Sequence, residues 1–151
     1  MGLVIPDSSQ EDEVLQLAMN FFRAAQLPYG EVSELKARSI IQNCCDKSSV
    51  DTVVIGWEDQ GSLKGIIAGQ VTEVLFNENR VATELIWWVE PAYRKTEVSS
   101  ALLGAFEYWG EFRGCKYIQM AGLQNDYSKV LDRYYRKNKY VNSENTYVKE
   151  I

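Results

Sequence analysis

The sequence lacks histidine altogether among its 151 residues. Histidine is the most frequent general base near neutral pH, the usual partner of a nucleophilic serine or cysteine, and the commonest metal ligand. Its absence excludes Ser-His and Cys-His nucleophile systems and every histidine-based metal site. Proton transfer by this protein would therefore have to use Glu, Asp, Tyr, Cys or water.

Cysteines and long apolar runs are scarce too. Cys44, Cys45 and Cys115 are odd in number and form no CxxC pair, which predicts reduced thiols and neither a disulfide framework nor a zinc site. No stretch approaches the roughly 18 consecutive apolar residues that indicate a membrane span. The segment from Met1 to Gln10 does not resemble a signal peptide. We expect a cytoplasmic protein without a membrane partner.

Positive charge is in deficit, with 16 Lys and Arg against 21 Asp and Glu. Binding to nucleic acid phosphates needs a basic surface, so we expect no nucleic acid partner and favour a cationic or neutral substrate. The composition, 46% hydrophobic and 25% charged, argues against disorder. The length suits a single domain over residues 1–151, with N-terminal helices in residues 1–46 and a strand-rich core in residues 50–151.

Hydrophobic spacing predicts two N-terminal helices. Ser8 and Ser9 precede acidic residues in a capping-box arrangement, and apolar residues then recur every three or four positions until Pro28. A second helix is predicted from Glu31. The residues predicted to face inward are Val14, Leu17, Ala18, Phe21, Phe22 and Ala25 in the first helix, and Val32, Leu35, Ile40, Ile41 and Cys44 in the second.

The middle of the chain predicts an antiparallel meander, because three segments rich in β-branched and aromatic residues are separated by short polar breaks. The predicted strands are Thr52 to Trp57, Leu63 to Val71 and Val81 to Val89. A helix with Phe106 in its apolar stripe follows, and Gly114 closes it. The last predicted elements are a strand from Cys115 to Leu123, a helix from Tyr127 to Lys137 and a strand from Thr146 to Ile151. The order ααβββαβαβ describes an α/β (α+β) fold.

This order resembles that of the GNAT superfamily of acyl-CoA N-acyltransferases. The stretch from Ala82 to Arg94 is similar to the family's fourth strand and the turn into its cofactor loop. The segments 101–109, 114–118, 135–140 and 147–149 resemble later parts of its pattern. The resemblance runs from about residue 50 to the C-terminus. It implies a mixed, mostly antiparallel sheet flanked by helices. It also implies transfer of an acetyl group from acetyl-CoA, as cosubstrate, to an amine, without a metal.

The predicted cofactor loop departs from the family pattern. Family members carry glycines there, so that backbone N–H groups at a helix N-terminus approach the pyrophosphate, whereas this chain has none. Glu97 opposes a phosphate by bulk and charge, while Arg94 and Lys95 favour one. The cofactor-binding residues that the resemblance implies are Arg94, Lys95, Thr96, Glu97, Val98, Ser99 and Ser100 in the loop, with Trp87, Trp88 and Val89 beside the pantetheine arm.

Two residues match the family's catalytic positions. Glu84 corresponds to the general base, although strand alternation also allows it to be a residue on a solvated face. Tyr135, five residues before Tyr140, corresponds to the acid that protonates the CoA thiolate. Tyr134 is adjacent, and one of the two must face the core. Lys129, Arg133, Arg136, Lys137 and Lys139 form a basic face that either meets the adenosine phosphates or is solvated.

Two functions remain open at this point. The first is an N-acetyltransferase whose acceptor is a small-molecule or protein amine. The second is a catalytically inactive GNAT-fold protein with a binding or structural role, since the glycine-free loop is similar to that of divergent GNAT-like proteins encoded by bacteriophages. A homodimer is an open alternative to the monomer in either case.

Overall fold

A computed structural model describes all residues from 1 to 151 and forms one mixed sheet with helices on both faces. Short 3-10 turns precede the first helix and follow the fourth strand. The elements are β1 Gly2–Val4, α1 Glu11–Ala25, α2 Glu34–Cys45, β2 Thr52–Asp59, β3 Ser62–Glu73, β4 Arg80–Val89, α3 Val98–Phe112, β5 Tyr117–Gln119 and α4 Ser128–Lys137.

The sheet has the strand order β1-β2-β3-β4-β5. The first four strands are antiparallel to their neighbours, which confirms the predicted meander. β5 runs parallel to β4 and pairs with it over three residues only, from Val81↔Tyr117 to Thr83↔Gln119. A parallel neighbour requires a crossover connection, which α3 provides.

The structure differs from the predicted secondary structure at both ends of the chain. The predicted strand from Thr146 to Ile151 is absent, because β5 is too short to offer it a ladder and strand propensity is realised only against a partner. Tyr147 in that segment is exposed. The short edge strand β1, from Gly2 to Val4, was not predicted; it exists because Leu3 pairs with Trp57.

The second helix begins three residues later than predicted. The hydroxyl of Ser33 accepts the N–H of Lys36 at 3.2 Å and caps the helix there. Val32 therefore precedes the helix, and Leu35 lies on its outer side with 84% of its surface exposed. The prediction that these two apolar residues face inward is wrong, whereas Ile41 is fully buried as predicted.

The core lies in two layers, one on each face of the sheet. Helices α1 and α2 cover one face around Ile66 and Ile86, and α3 covers the other around Ile67 and Phe106. The Phe106 ring touches the sheet where Gly69 lies in β3: a Cβ on Gly69 would come within 2.5 Å of the ring. Glycine is required there because α3 packs so close to the strand.

We expect Phe106→Ala to lower the free energy of unfolding by about 3 to 5 kcal/mol, because it removes a large side chain from the core and leaves a cavity. Phe106 is completely buried. Tyr108→Ala on the same helix is the matched control, since that side chain is 69% exposed, and it should cost within about 0.5 kcal/mol. Urea titrations measure both. Equal losses in the two variants would contradict the assigned inner face of α3.

Candidate active site

A β-bulge in β4 shapes the cleft. Gly69 pairs with Glu84 and the adjacent Ala68 pairs with Ile86, so Leu85 is an extra residue on the bulged strand. A bulge bends its strand and increases the local twist. Pairing of β4 with β5 ends at Thr83, just before the bulge. β5 ends at the same level, with Gln119 opposite Thr83, and a cavity of about 240 Å³ lies between β4 and the segment that follows β5.

Glu84 is the first residue of β4 beyond its pairing with β5. Its side chain is buried, with 8% of the residue exposed, and it is the only charged residue of the core. Oε2 accepts the N–H of Ala121, in the segment after β5, at 3.0 Å. Burial raises the pKa of Glu84 to about 7, although the hydrogen bond from Ala121 opposes this rise. The alternative of a solvated strand face therefore does not hold.

The two tyrosines of α4 have different surroundings. Tyr135 donates its hydroxyl to the carbonyl of Ala121 at 2.8 Å, so one peptide segment contacts both Tyr135 and Glu84. Burial, and then the nearby Glu84, raise the pKa of Tyr135. Tyr134 lines the cleft, and its ring centroid lies 5.8 Å from that of Trp87. The Tyr134 hydroxyl is buried without a hydrogen-bond partner.

Trp87 and Trp88 line the cleft from opposite faces of β4. Trp87 packs against the α3 layer and Trp88 against the α1 and α2 layer. Both indole N–H groups are buried and have no acceptor in the protein. Together with the Tyr134 hydroxyl they make three unpaired donors in the cleft walls. Buried donors are normally satisfied, and all three atoms lie beneath the surface of the cleft wall, out of reach of a ligand in the cleft as it stands.

Arg94 lies in the cleft wall. Its Nε donates to the carbonyl of Val89 at 2.8 Å. The guanidinium carbon lies 4.6 Å from the ring centroid of Trp88 and 5.4 Å from that of Tyr127. Stacking between two aromatic rings fixes a guanidinium by cation–π attraction. Arg94 therefore places one positive charge at a defined position in the cleft.

The side chains of the predicted cofactor loop go to different places. Lys95, Thr96 and Glu97 are exposed, and Ser99 lines the cleft. Val98 is buried in the core under the sheet. The structure therefore does not bring the Val98 side chain to the cleft, and only its backbone belongs to this part of the molecule.

The start of α3 presents free backbone donors. Neither the N–H of Ser99 nor that of Ser100 has an acceptor in the protein. The hydroxyl of Ser100 donates to the carbonyl of Glu97 at 2.9 Å, so it is not a free donor. A helix N-terminus carries partial positive charge and attracts anions. Here the backbone rather than the serine hydroxyl offers that attraction.

The basic face predicted on α4 is exposed. Arg136 is paired with Asp132 at 2.9 Å on the same helix. Exposed ion pairs of this kind contribute little to stability. Lys129, Arg133, Lys137 and Lys139 have no ion-pair partner within 4.0 Å.

Sequence reasoning missed part of the cleft. The segment after β5 and the end of α1 supply walls that no motif indicates; only the position of that segment, at the carboxyl end of a parallel strand, could have pointed to it. The additional lining residues are Phe21, Ala24, Ala25, Ala121, Leu123, Asn125, Tyr127, Val130 and Leu131.

The chain belongs to the acetyltransferase (GNAT) family, whose family model matches residues 12–140. This agrees with the fold, with the cleft where the pairing of β4 and β5 ends, and with the buried carboxylate of Glu84 beside it. No curated protein sequence matches the chain. None of its helices has the length and apolar character of a membrane span, and no group of three or more Cys, Asp or Glu residues is arranged to hold a metal ion.

Solved acetyltransferases share this fold. A ribosomal-protein-alanine N-acetyltransferase from Brucella melitensis biovar Abortus 2308 is 13% identical with a TM-score of 0.75, over 99% of this chain and 97% of that one. The aminoglycoside N-acetyltransferase AAC(6')-Iy in complex with CoA is 10% identical with a TM-score of 0.77, over 99% of this chain and 93% of that one. The same enzyme with a bisubstrate analogue, CoA-S-monomethyl-acetylneamine, is 12% identical with a TM-score of 0.72, over 99% of this chain and 96% of that one. These identities show similarity of fold alone.

Proposed function

We propose that this protein is a single-domain, cytoplasmic N-acetyltransferase that transfers the acetyl group of acetyl-CoA to a primary amine. The observation that carries the proposal is Glu84, a buried carboxyl with its pKa raised to about 7 in the gap between β4 and β5. A general base is most effective when its pKa lies near the working pH. In a chain without histidine, Glu84 is the group in this cleft that meets this condition.

The cleft fits acetyl-CoA in its donors and charges. On the β5 side, β4 has no strand partner beyond Thr83, so its backbone beside Trp87 and Trp88 can pair with the amides of a pantetheine arm. The N–H groups of Ser99 and Ser100 face an approaching phosphate without competition from a protein acceptor. Lys95 is exposed beside them. One enzyme of similar fold was solved both with CoA and with a CoA bisubstrate analogue, which supports the same cosubstrate here.

Each catalytic residue has a defined task in this proposal. Acetyl-CoA supplies an acetyl thioester, and the amine nitrogen forms the new bond to the acetyl carbon as the carbon–sulfur bond breaks. Glu84 takes the proton that the amine loses. Tyr135 gives its hydroxyl proton to the departing sulfur, exchanging the carbonyl of Ala121 for a stronger, charged acceptor. The raised pKa of Tyr135 keeps this donor protonated until then.

A second function is a catalytically inactive GNAT-fold protein that has lost acetyl-CoA binding and has another binding or structural role. Glu97 favours it, because its carboxylate stands at the N-terminus of α3, where it competes with a phosphate for the positive end of the helix. The two functions differ in a single measurement. Acetyl-CoA at 100 times its dissociation constant should stabilise the enzyme by about 2.7 kcal/mol. No change in melting temperature across millimolar acetyl-CoA would rule out the acetyltransferase.

We expect Glu97→Gln to tighten acetyl-CoA binding by about two- to fivefold, which corresponds to the 0.3–1 kcal/mol of a charge near a helix terminus. The backbone of Glu97 has a φ of −67°, which any residue adopts, so Glu97→Gly should add no further gain from relief of strain. Isothermal titration calorimetry measures both variants. Weaker binding in Glu97→Gln would show that the phosphates lie elsewhere.

A further inference from the structure

The wall that α1 contributes to the cleft is apolar. It consists of Phe21, Ala24 and Ala25, and Trp88, Leu123 and Tyr127 line the same cleft. Twelve of the sixteen residues that line the whole cleft are hydrophobic. An acceptor in the cleft beside Glu84 therefore lies among aromatic and aliphatic side chains.

Charge in the cleft is limited to two groups. Among the lining residues only Glu84 and Arg94 are ionisable with a formal charge near neutral pH, and no second carboxylate is present. Arg94 is held by the carbonyl of Val89 and by its two aromatic neighbours. A second ammonium group inside the cleft would have no carboxylate partner there and would share the cleft with a fixed guanidinium. Burial of an unpaired charge is strongly unfavourable.

The size of the cleft adds a second limit. Its volume of about 240 Å³ lies below the roughly 300 to 1,000 Å³ that is usual for ligand pockets. The acetyl thioester must share this space with the acceptor. The part of the acceptor that lies inside the cleft is therefore the reactive amine and a compact group beside it.

Resting on the proposed acetyltransferase function, we propose that the acceptor is a small primary amine with a single positive charge and an aromatic or branched apolar body. Its ammonium group reaches Glu84, which is both its only charged partner and its base. Its apolar body packs against Phe21, Trp88 and Tyr127. The cleft accordingly selects against polyamines and other polycations.

The first test compares kcat/KM of the wild-type protein for phenethylamine, methylamine, spermidine and kanamycin, from the release of free CoA thiol. Phenethylamine should exceed each of the others by at least tenfold. A preference for spermidine, kanamycin or methylamine would overturn the inference and leave the acetyltransferase intact. Failure to acetylate any amine, with no stabilisation by acetyl-CoA, would instead overturn the proposed function. Tryptophan fluorescence titration with phenethylamine and spermidine tests the amine preference without turnover, and tighter binding of spermidine overturns it.

The second test changes the wall that α1 contributes to the cleft. Ala24→Asp places a carboxylate among the apolar residues and should lower the ratio of kcat/KM for phenethylamine to that for spermidine by at least tenfold. Gln16→Asp adds the same charge two turns away on the exposed side of α1 and should leave the ratio unchanged. Phe21→Ala, which removes an aromatic wall, should also lower the ratio if Ala24→Asp does not fold. Folded variants at both positions with the wild-type ratio would overturn the inference.

Discussion

Glu84→Gln is expected to lower kcat by about 10²- to 10⁴-fold at pH 8, the usual worth of a positioned general base. The amide has nearly the shape of the carboxylate and its oxygen can still accept the N–H of Ala121. The loss would therefore report on the missing base rather than on a displaced segment. Steady-state rates with a saturating amine acceptor measure it. Retention of full activity would exclude Glu84 as the base.

The same substitution should change the pH dependence. Glu84 must be ionised to accept a proton, and its pKa is about 7 in the folded protein. In the wild type kcat/KM should therefore rise with pH through about 7, and this inflection should be missing in Glu84→Gln. Glu78→Gln, in the exposed turn between β3 and β4, is the matched control and should retain the wild-type profile.

As the pH rises, the stability of the folded protein should fall while its activity rises. The pKa of Glu84 rises from 4.5 to about 7 on folding, so the folded state binds the proton more tightly than the unfolded state. The folded protein therefore becomes less stable as the pH rises from about 4.5 through 7, by about 3 kcal/mol at 1.36 kcal/mol per unit. Glu84→Gln should have the higher melting temperature at pH 8 and little advantage at pH 4. Parallel melting curves for the two proteins across this range would contradict the raised pKa.

Tyr135→Phe is expected to lower kcat by about 10- to 1,000-fold, because the ring remains while the proton donor is removed. The substitution also removes the hydrogen bond to Ala121, which should cost about 0.5 to 1.5 kcal/mol of stability. Single-turnover rates and melting temperatures measure the two effects separately. A fall in stability without a fall in rate would make Tyr135 a purely structural residue.

Tyr134→Phe is the matched control for this prediction. Its hydroxyl has no partner in the protein, so the variant should be as stable as the wild type. If Tyr134→Phe loses activity and Tyr135→Phe keeps it, then the free hydroxyl in the cleft wall is the donor instead. If neither variant loses activity, water protonates the sulfur.

The parts of the fold that the sequence predicted well are those whose pattern is local. The stripe of α3 around Phe106 and the alternation in β4 follow from the spacing of apolar residues, and both agree with the structure. The strand predicted at Thr146 failed, because its residues favour a strand only when a neighbouring strand pairs with them. β1 was missed because its three residues are too few to show an alternating pattern, and they form a strand because β2 pairs with them.

The site was predictable to the extent that it lies in β4. The position of Glu84 in that strand could be predicted, but its burial could not, since the bulge and the segment around Ala121 create it. The wall from α1 was not predictable as a site, because Phe21 and Ala25 have the spacing of ordinary core residues. Val98 differs in the opposite way. It belongs to the cofactor loop by its position in the sequence, but its side chain is part of the core, so only its backbone can face the cleft.

Leu85 is one residue more than the ladder between β3 and β4 requires, since its neighbours Glu84 and Ile86 pair with consecutive residues of β3. Without it, every other residue of β4 could keep both its partner and its face, and the strand would be regular. Leu85 is thus the one residue that bends β4 beside Glu84. Its deletion would make the ladder regular and change the direction in which the strand carries Glu84 into the cleft.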